Sequence, residues 1–395
     1  MFRRMDFLLL GITVVLTMFG LAMIASVSVF ESFQLTQRLT GVGSNSFYLV
    51  RSFLHAILGC GAMAFTILVP YHFWEKHARS IFFLTIILTM GVLVPGISAG
   101  WGSASHWLRI GPLSLQPSEF LKLGMIFYLA LWLQKREQLV DTFREGFIPF
   151  ALLLVICTLV VAIEPDLGSF LVLATTGCVM FFIAGGNLIH LLGGGFLAAT
   201  MGLPLMLQKK YIQARFLAFF NPNDPTIGET IGFQIKQAII AIGSGGPLGL
   251  GYGKSVQKFG YLPEVQSDMI FSAMAEELGF FRLLIVLSMF GLLIWRGYKI
   301  AQNAPDRFGF LVASGITSML AIQTLVNIAV NVGLFPLTGI TLPFVSYGGS
   351  SLIASLAAVG ILLNISMYST EEVRLARRTK KGAIRSISSS IFSAK

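Results

Sequence analysis

Charge is what this chain has least of: Asp, Glu, Lys and Arg make up 12% of its 395 residues, against 55% hydrophobic residues. Mean hydropathy is +0.79. That leaves too little polar surface to coat a water-soluble globule, so composition overrides the two or three soluble domains that length alone would allow. Cysteine is scarce as well. Cys60, Cys157 and Cys178 fall in apolar runs without metal-ligand spacing, which excludes a zinc site or disulfide framework and leaves helix packing. Heptads, tandem repeats and low-complexity tracts are missing, and no segment reads as a separate soluble domain. A nucleotide loop is missing too. The run Gly243 to Gly253 ends in Lys254 and Ser255, but the G-x-x-x-x-G-K-[ST] pattern needs glycine where Leu248 stands. ATP binding is excluded on that ground. The run reads as a permissive turn that lets backbone approach a substrate, or as a plain hinge.

What is present is a series of about ten apolar segments, at 7–30, 49–70, 80–98, 118–134, 147–163, 168–185, 187–207, 268–295, 308–334 and 349–368. Each is long enough, or nearly so, to cross about 30 Å of hydrocarbon. The expected fold is all-α: a polytopic integral membrane protein of about ten transmembrane helices, its backbone hydrogen bonds closed internally. The first segment has a basic start like a signal peptide, but its apolar stretch exceeds a signal core of about 7–15 residues, so a retained span is expected. With the amino terminus inside, 17 of the 28 Lys and Arg fall on inner segments. The positive-inside rule then places both termini in the cytoplasm. A single transmembrane domain over 1–370 precedes a basic cytoplasmic tail over 371–395. The net charge of +10 thus points to anionic headgroups rather than nucleic acid.

Two outer segments break the pattern of short loops: 99–117, and the large extracytoplasmic loop 208–267 between the seventh and eighth spans. Within the latter, ETIGFQIKQAIIAIG reads as a short amphipathic helix stopped by glycines. The charged residues gather around these segments. Glu264, Asp268, Glu276 and Glu277 sit at the mouth of, and within, the eighth apolar segment, where ionised groups cost roughly 2.5–3.5 kcal/mol each on insertion scales. Asp268 opens that segment, at a helix start that favours its ionised form while burial opposes it. It is a candidate general base or metal ligand, or else a plain cap. Glu119 and Lys122 share a helical face at i,i+3, as a structural ion pair or as a held phosphate-binding ammonium. Asp166 is a helix cap or a site residue. Arg109, His106 and Arg215 are cations that become meaningful only as a cluster. Arg282, close to Glu276 and Glu277, has no evident role.

Several strings together resemble the SEDS family (shape, elongation, division and sporulation). They are HWLRIGPLSLQPSEFLKL, EPDLGS, RFLAFFNPNDP, GFQIKQAIIAIGSGGPLGLGYGKSVQKFGYLPEVQSDMIFSAMAEELGF and NVGLFPLTGITLPFVSYGGSS, in family order over roughly 100–365. GKSVQKFGYLPE and the closing SYGGSS are more similar to the division branch, FtsW, than to the elongation branch, RodA. The resemblance implies a lipid II polymerase, a peptidoglycan glycosyltransferase at the outer face of the bacterial inner membrane, at the division septum. It implies a class B penicillin-binding protein and other divisome proteins as partners, and a divalent cation such as Mg2+ or Mn2+ without nucleotide. Asp268 falls on the catalytic Asp of PE-x-H-T-D-F-I-F. Glu119 and Lys122 fall on QPSE-x-x-K, Asp166 on QPDLG, and Arg215 on the Arg before F-x-[DN]-P. Substrate contacts are expected from these, with Arg109, His106 and Glu264. The chain departs from the pattern at Gln266 and Ser267 (His-Thr in the family), Glu164 (Gln) and His106 (Arg). A lipid II flippase and a non-catalytic scaffold that recruits a transpeptidase are the rival readings.

Overall fold

The computed structural model describes residues 5–94, 107–110, 113–221 and 231–368. His106 and the 371–395 tail lie outside the described residues, and Arg109 is described by its backbone alone. The helices are α1 (Phe7–Val27), α2 (Val29–Thr40), α3 (Phe47–Leu68), α4 (Tyr71–Gly91), α5 (Pro117–Lys135), α6 (Ile148–Ile163), α7 (Leu167–Ile183), α8 (Leu188–Leu207), α9 (Lys210–Phe220), α10 (Phe233–Gly245), α11 (Ile270–Gln302), α12 (Arg307–Asn331) and α13 (Gly349–Tyr368). Within the described residues, each apolar segment read from the sequence overlaps one or two of them. Among the described residues, six helical stretches are long and apolar enough to cross a membrane: α1, α3, Phe143–Ile163, α11, α12 and α13. α7 and the Leu188–Thr200 part of α8 are shorter apolar helices. The chain is a multi-pass membrane protein. One small departure from all-α is an antiparallel ribbon of β1 (Leu108–Ile110) and β2 (Leu113–Leu115), with Arg109 opposite Ser114. Its strands flank Gly111-Pro112, a turn signal that helical periodicity passes over.

The bundle closes around α12 and α13, which are buried on most sides. Small residues make that possible, because lipid offers no hydrophobic drive and close backbone approach must replace it. A Cβ on Gly360 would strike the Met63 backbone of α3, and one on Gly20 would strike Phe344 and Val345. Polar staples fix the ends. Asn364 accepts from the Tyr71 amide at 2.9 Å and donates to the Ile67 carbonyl at 2.7 Å, pinning the α3–α4 turn to α13. Asp6 caps α1 through the Leu9 amide at 3.0 Å and binds Arg296 through two guanidinium nitrogens.

The eighth apolar segment is not one membrane helix. Gly279 breaks α11 at φ 72°, ψ 177°, a region essentially reserved for glycine. Residues 270–277 before the break are buried, whereas Phe280, Phe281, Leu284, Ile285, Leu292 and Trp295 beyond it are exposed, as lipid-facing side chains are. The exposed apolar surface therefore begins at Phe280, and Glu276 and Glu277 lie on the buried part of α11 before the break, packed against a cap formed by the preceding loop. That cap is laced to α11 by the glycine run. The Leu250 and Gly251 amides donate to the Glu276 and Glu277 carbonyls, each at 3.0 Å, and the Phe280 amide to Gly246 at 2.9 Å. The run thus approaches the protein's own backbone: a Cβ at Gly245 or Gly249 would strike α11. Gly279→Ala should lower stability by at least about 2 kcal/mol, since Ala must enter a glycine-only conformation and collide with Leu248 and Gly249. The thermal unfolding midpoint in detergent checks this.

Candidate active site

Asp268 sits in the turn between α10 and α11, outside the membrane span. The turn is held on several sides. Tyr347 donates its amide to the Gln266 carbonyl at 2.8 Å, and Asn327 and Asn331 both donate to the Asp268 carbonyl, at 2.9 and 2.8 Å. Glu264 adopts φ 52°, a strained setting for a side-chain-bearing residue. Ser267 stabilises it by donating its hydroxyl to Glu264 Oε2 at 2.8 Å. The Asp268 side chain is 8% exposed, and its Oδ1 has no hydrogen-bond partner in the protein. Burial pushes this carboxyl up to about 7, aided by the negative Glu264, against the pull of its own amide, Arg215 and Ser267. Such a group is half-ionised near neutrality, as a general base needs.

Arg215, on α9, is the cation that shares this field. Burial lowers its affinity for its proton, while Asp268, Tyr211 and Asp166 raise it. A guanidinium stays charged throughout. It donates to the Thr338 carbonyl at 3.3 Å, leaving further donors for an anion. Asp166 caps α7, accepting from the Ser169 amide at 2.9 Å, and also accepts from Gln116 Nε2 at 3.0 Å and Ser118 Oγ at 3.2 Å. The cap reading therefore describes it directly, and its charge still reaches Arg215.

Glu164 is 1% exposed and neither carboxylate oxygen has a hydrogen-bond partner. Burial, then repulsion from Asp166, pushes it up to about 8. It is therefore neutral at pH 7, which makes it a near-isostere of the glutamine it replaces. Because its affinity for a proton is greater when folded, its contribution to stability is complete below about pH 4.5, the ordinary value, and is lost as pH rises through about 8. Glu164→Gln should match the wild type in thermal stability at pH 5 and exceed it at pH 9, as melting curves at the two pH values would record.

Glu119 and Lys122 form a buried pair at 2.7 Å on α5, 8% and 3% exposed by side chain. Lys122 also reaches Gln323 Oε1 on α12 at 3.4 Å, and Gln323 Nε2 donates to Ser351 Oγ at 3.2 Å. In this state the ammonium is committed within the protein. Glu276 and Glu277, candidates on charge alone, anchor the loop instead. Glu276 accepts from Ser255 Oγ at 2.5 Å and the Val256 amide at 3.1 Å. Glu277 accepts from Lys258 Nζ at 3.0 Å and Ser26 Oγ at 2.6 Å. Arg282 donates to the Leu248 carbonyl at 3.1 Å. Among the described residues, no three His, Cys, Asp or Glu side chains gather as a metal cluster. Gln323, Asn327 and Asn331 escaped the sequence reading, although three amides at four-residue intervals in an apolar helix were there to be seen.

A helical membrane bundle that sets a buried carboxylate in the field of a guanidinium, with a buried Lys–Glu pair tied to the same helix α12 that clamps the carboxylate's main chain, defines the class. The family model described as "Cell cycle protein", covering FtsW, RodA and SpoVE, matches residues 6–371. The chain belongs to this family. It is 41% identical to the stage V sporulation protein E of Bacillus subtilis over 92% of this chain and 97% of that one. It is 40% identical to the probable peptidoglycan glycosyltransferase FtsW of Trichlorobacter lovleyi, over 91% and 93%. Among solved structures, it matches a chain described under structural coordination of polymerization and crosslinking by a peptidoglycan synthase complex, with TM-score 0.76, 26% identity and coverage of 93% and 99%. It also matches the rod shape determining protein RodA of Thermus thermophilus, with TM-score 0.68, 27% identity and coverage of 93% and 98%.

Proposed function

We infer that this chain is a peptidoglycan glycosyltransferase that polymerises lipid II. Relatives at about 40% identity are named probable peptidoglycan glycosyltransferases, and Asp268 supplies the chemistry. The observation that carries the reading is that buried carboxylate, its main chain clamped and one oxygen unengaged, in the field of Arg215. The donor is the growing chain, linked through MurNAc C1 to undecaprenyl pyrophosphate; the acceptor is the GlcNAc 4-hydroxyl of lipid II. The acceptor oxygen forms its bond to C1 as the C1–O bond to pyrophosphate breaks, and the bonding pair leaves with pyrophosphate. Asp268 receives the hydroxyl proton, and inversion at C1 gives the β-1,4 link. Arg215 balances the charge growing on the leaving group, with Lys122, held by Glu119, as a second cation. Pyrophosphate leaves readily, so no second carboxyl is needed as acid.

A divalent cation such as Mg2+ or Mn2+ fits this setting, because the free Oδ1 of Asp268 and the carboxylate of Glu264 resemble the one or two carboxylates that accompany substrate phosphates in Mg2+ sites. When bound, the ion would neutralise pyrophosphate charge. We place the chain in the inner membrane at the division septum, with the loop-rich end outward and a class B penicillin-binding protein as partner. The matched chain of the peptidoglycan synthase complex supports that pairing. The test is polymerisation of purified lipid II by the reconstituted chain, alone and with its transpeptidase. Glycan strands are expected, and lipid II left unpolymerised in both arms would overturn the reading.

A further inference from the structure

Gln323, Asn327 and Asn331 stand one turn apart on one face of α12, each no more than 1% exposed. Buried amides in an apolar helix are costly unless their donors and acceptors are used. Asn331 Nδ2 donates to the Asp268 carbonyl at 2.8 Å and its Oδ1 accepts from the Ser272 amide at 3.1 Å and hydroxyl at 2.7 Å. Asn327 Nδ2 donates to the Asp268 carbonyl at 2.9 Å and to the Ile340 carbonyl at 2.7 Å. Gln323 holds Lys122 and, through Nε2, the Thr341 carbonyl at 3.3 Å. Two amides from a rigid buried helix thus converge on a single main-chain oxygen. Meanwhile Asn327 Oδ1 is left without a partner, a cost that packing alone would avoid.

We propose that Asn327 and Asn331 are positioning residues for glycosyl transfer: by clamping the carbonyl oxygen of Asp268 they aim its carboxylate, and through Gln323 the same face of α12 fixes Lys122 in register with it. The physical reason is geometric. With both lone-pair directions of that carbonyl engaged, the peptide plane after Asp268 cannot rotate, so the Cα–Cβ bond carrying the carboxylate points one way. The same segment is tied at Ile340 to the loop whose Thr338 carbonyl receives Arg215. Base and cation are thereby set against one scaffold. This inference rests on Asp268 being the base.

The experiment measures lipid II polymerisation by Asn327→Ala and Asn331→Ala in the full chain with its transpeptidase partner, normalised to folded protein. Asn327→Ser and Asn331→Ser serve as smaller polar replacements should an alanine variant fail to fold. The expected result is a turnover loss of about 10- to 100-fold with KM for lipid II changed less than about twofold. Asp268→Ala is run beside them. If it is inactive while the asparagine variants keep wild-type turnover, the positioning role is overturned and the base assignment survives. If Asp268→Ala polymerises normally, the base assignment fails and takes the positioning role with it.

Discussion

Asp268→Asn should cut lipid II polymerisation by about 10²- to 10⁴-fold, the range that a positioned general base supplies. Asparagine keeps the size of the side chain, and the two donors from α12 still meet the unchanged carbonyl. The loss would therefore report the base and not the turn. Polymerisation by the wild type should rise with pH through about 7, because the working form is the carboxylate and burial has pushed its protonation up to there. Glu264→Gln removes the neighbouring negative charge that contributes to that shift, so the limb should move to lower pH. Stability gives the opposite sign from activity. The raised value means that folding favours the protonated form, so wild-type stability falls as pH rises through about 7. Asp268→Asn should therefore melt no lower than the wild type at pH 8 while polymerising almost nothing. A folded Asp268→Asn protein retaining more than about a tenth of wild-type turnover would remove Asp268 from the base role.

The sequence made the membrane bundle legible because each apolar segment is nearly uniform and all but two connections are short, so length and composition had little competition. It located Asp268, Arg215, Asp166 and the Glu119–Lys122 pair by charge in apolar surroundings and by motif. It left Glu276 and Glu277 without partners for a physical reason. A hydropathy profile measures composition along the chain and cannot register that Gly279 ends one helix and starts another. Two acids counted as intramembrane are loop anchors matched by Ser255 and Lys258. Arg282, which had no evident role in the sequence, and its neighbours Glu276 and Glu277 have partners in the cap. The glycine run had the converse problem. Glycine signals close approach, but whether the approaching partner is a ligand or another backbone depends on tertiary packing, which here brings α11 against Gly245 and Gly249. Neutral amides leave no charge signature, so Asn327 and Asn331 passed as ordinary polar residues until the carbonyl they share came into view.

Lys122→Met should lose most polymerising activity, and the double variant Glu119→Gln with Lys122→Met should decide why. The pair is buried, at 2.7 Å. Deleting one member of such a pair strands the other charge and costs about 3–5 kcal/mol, whereas replacing both is close to neutral. Lys122→Met should accordingly melt well below the wild type, and the double variant should regain most of that stability. Activity per folded molecule separates the two roles. If Lys122 only neutralises Glu119, the double variant polymerises lipid II like the wild type. If its ammonium faces pyrophosphate in the transition state, the double variant is folded and still slow, by about 10²-fold or more, the cost of losing one preorganised charge at a developing anion. The expected outcome is the second. Glu119 then acts as a holder for the ammonium, and Gln323 limits its reach from α12. Arg215 alone cannot replace it, because its field is shared among Asp268, Tyr211 and Asp166. Wild-type turnover in a stable double variant would return the pair to architecture and leave Arg215 as the cation on the leaving group.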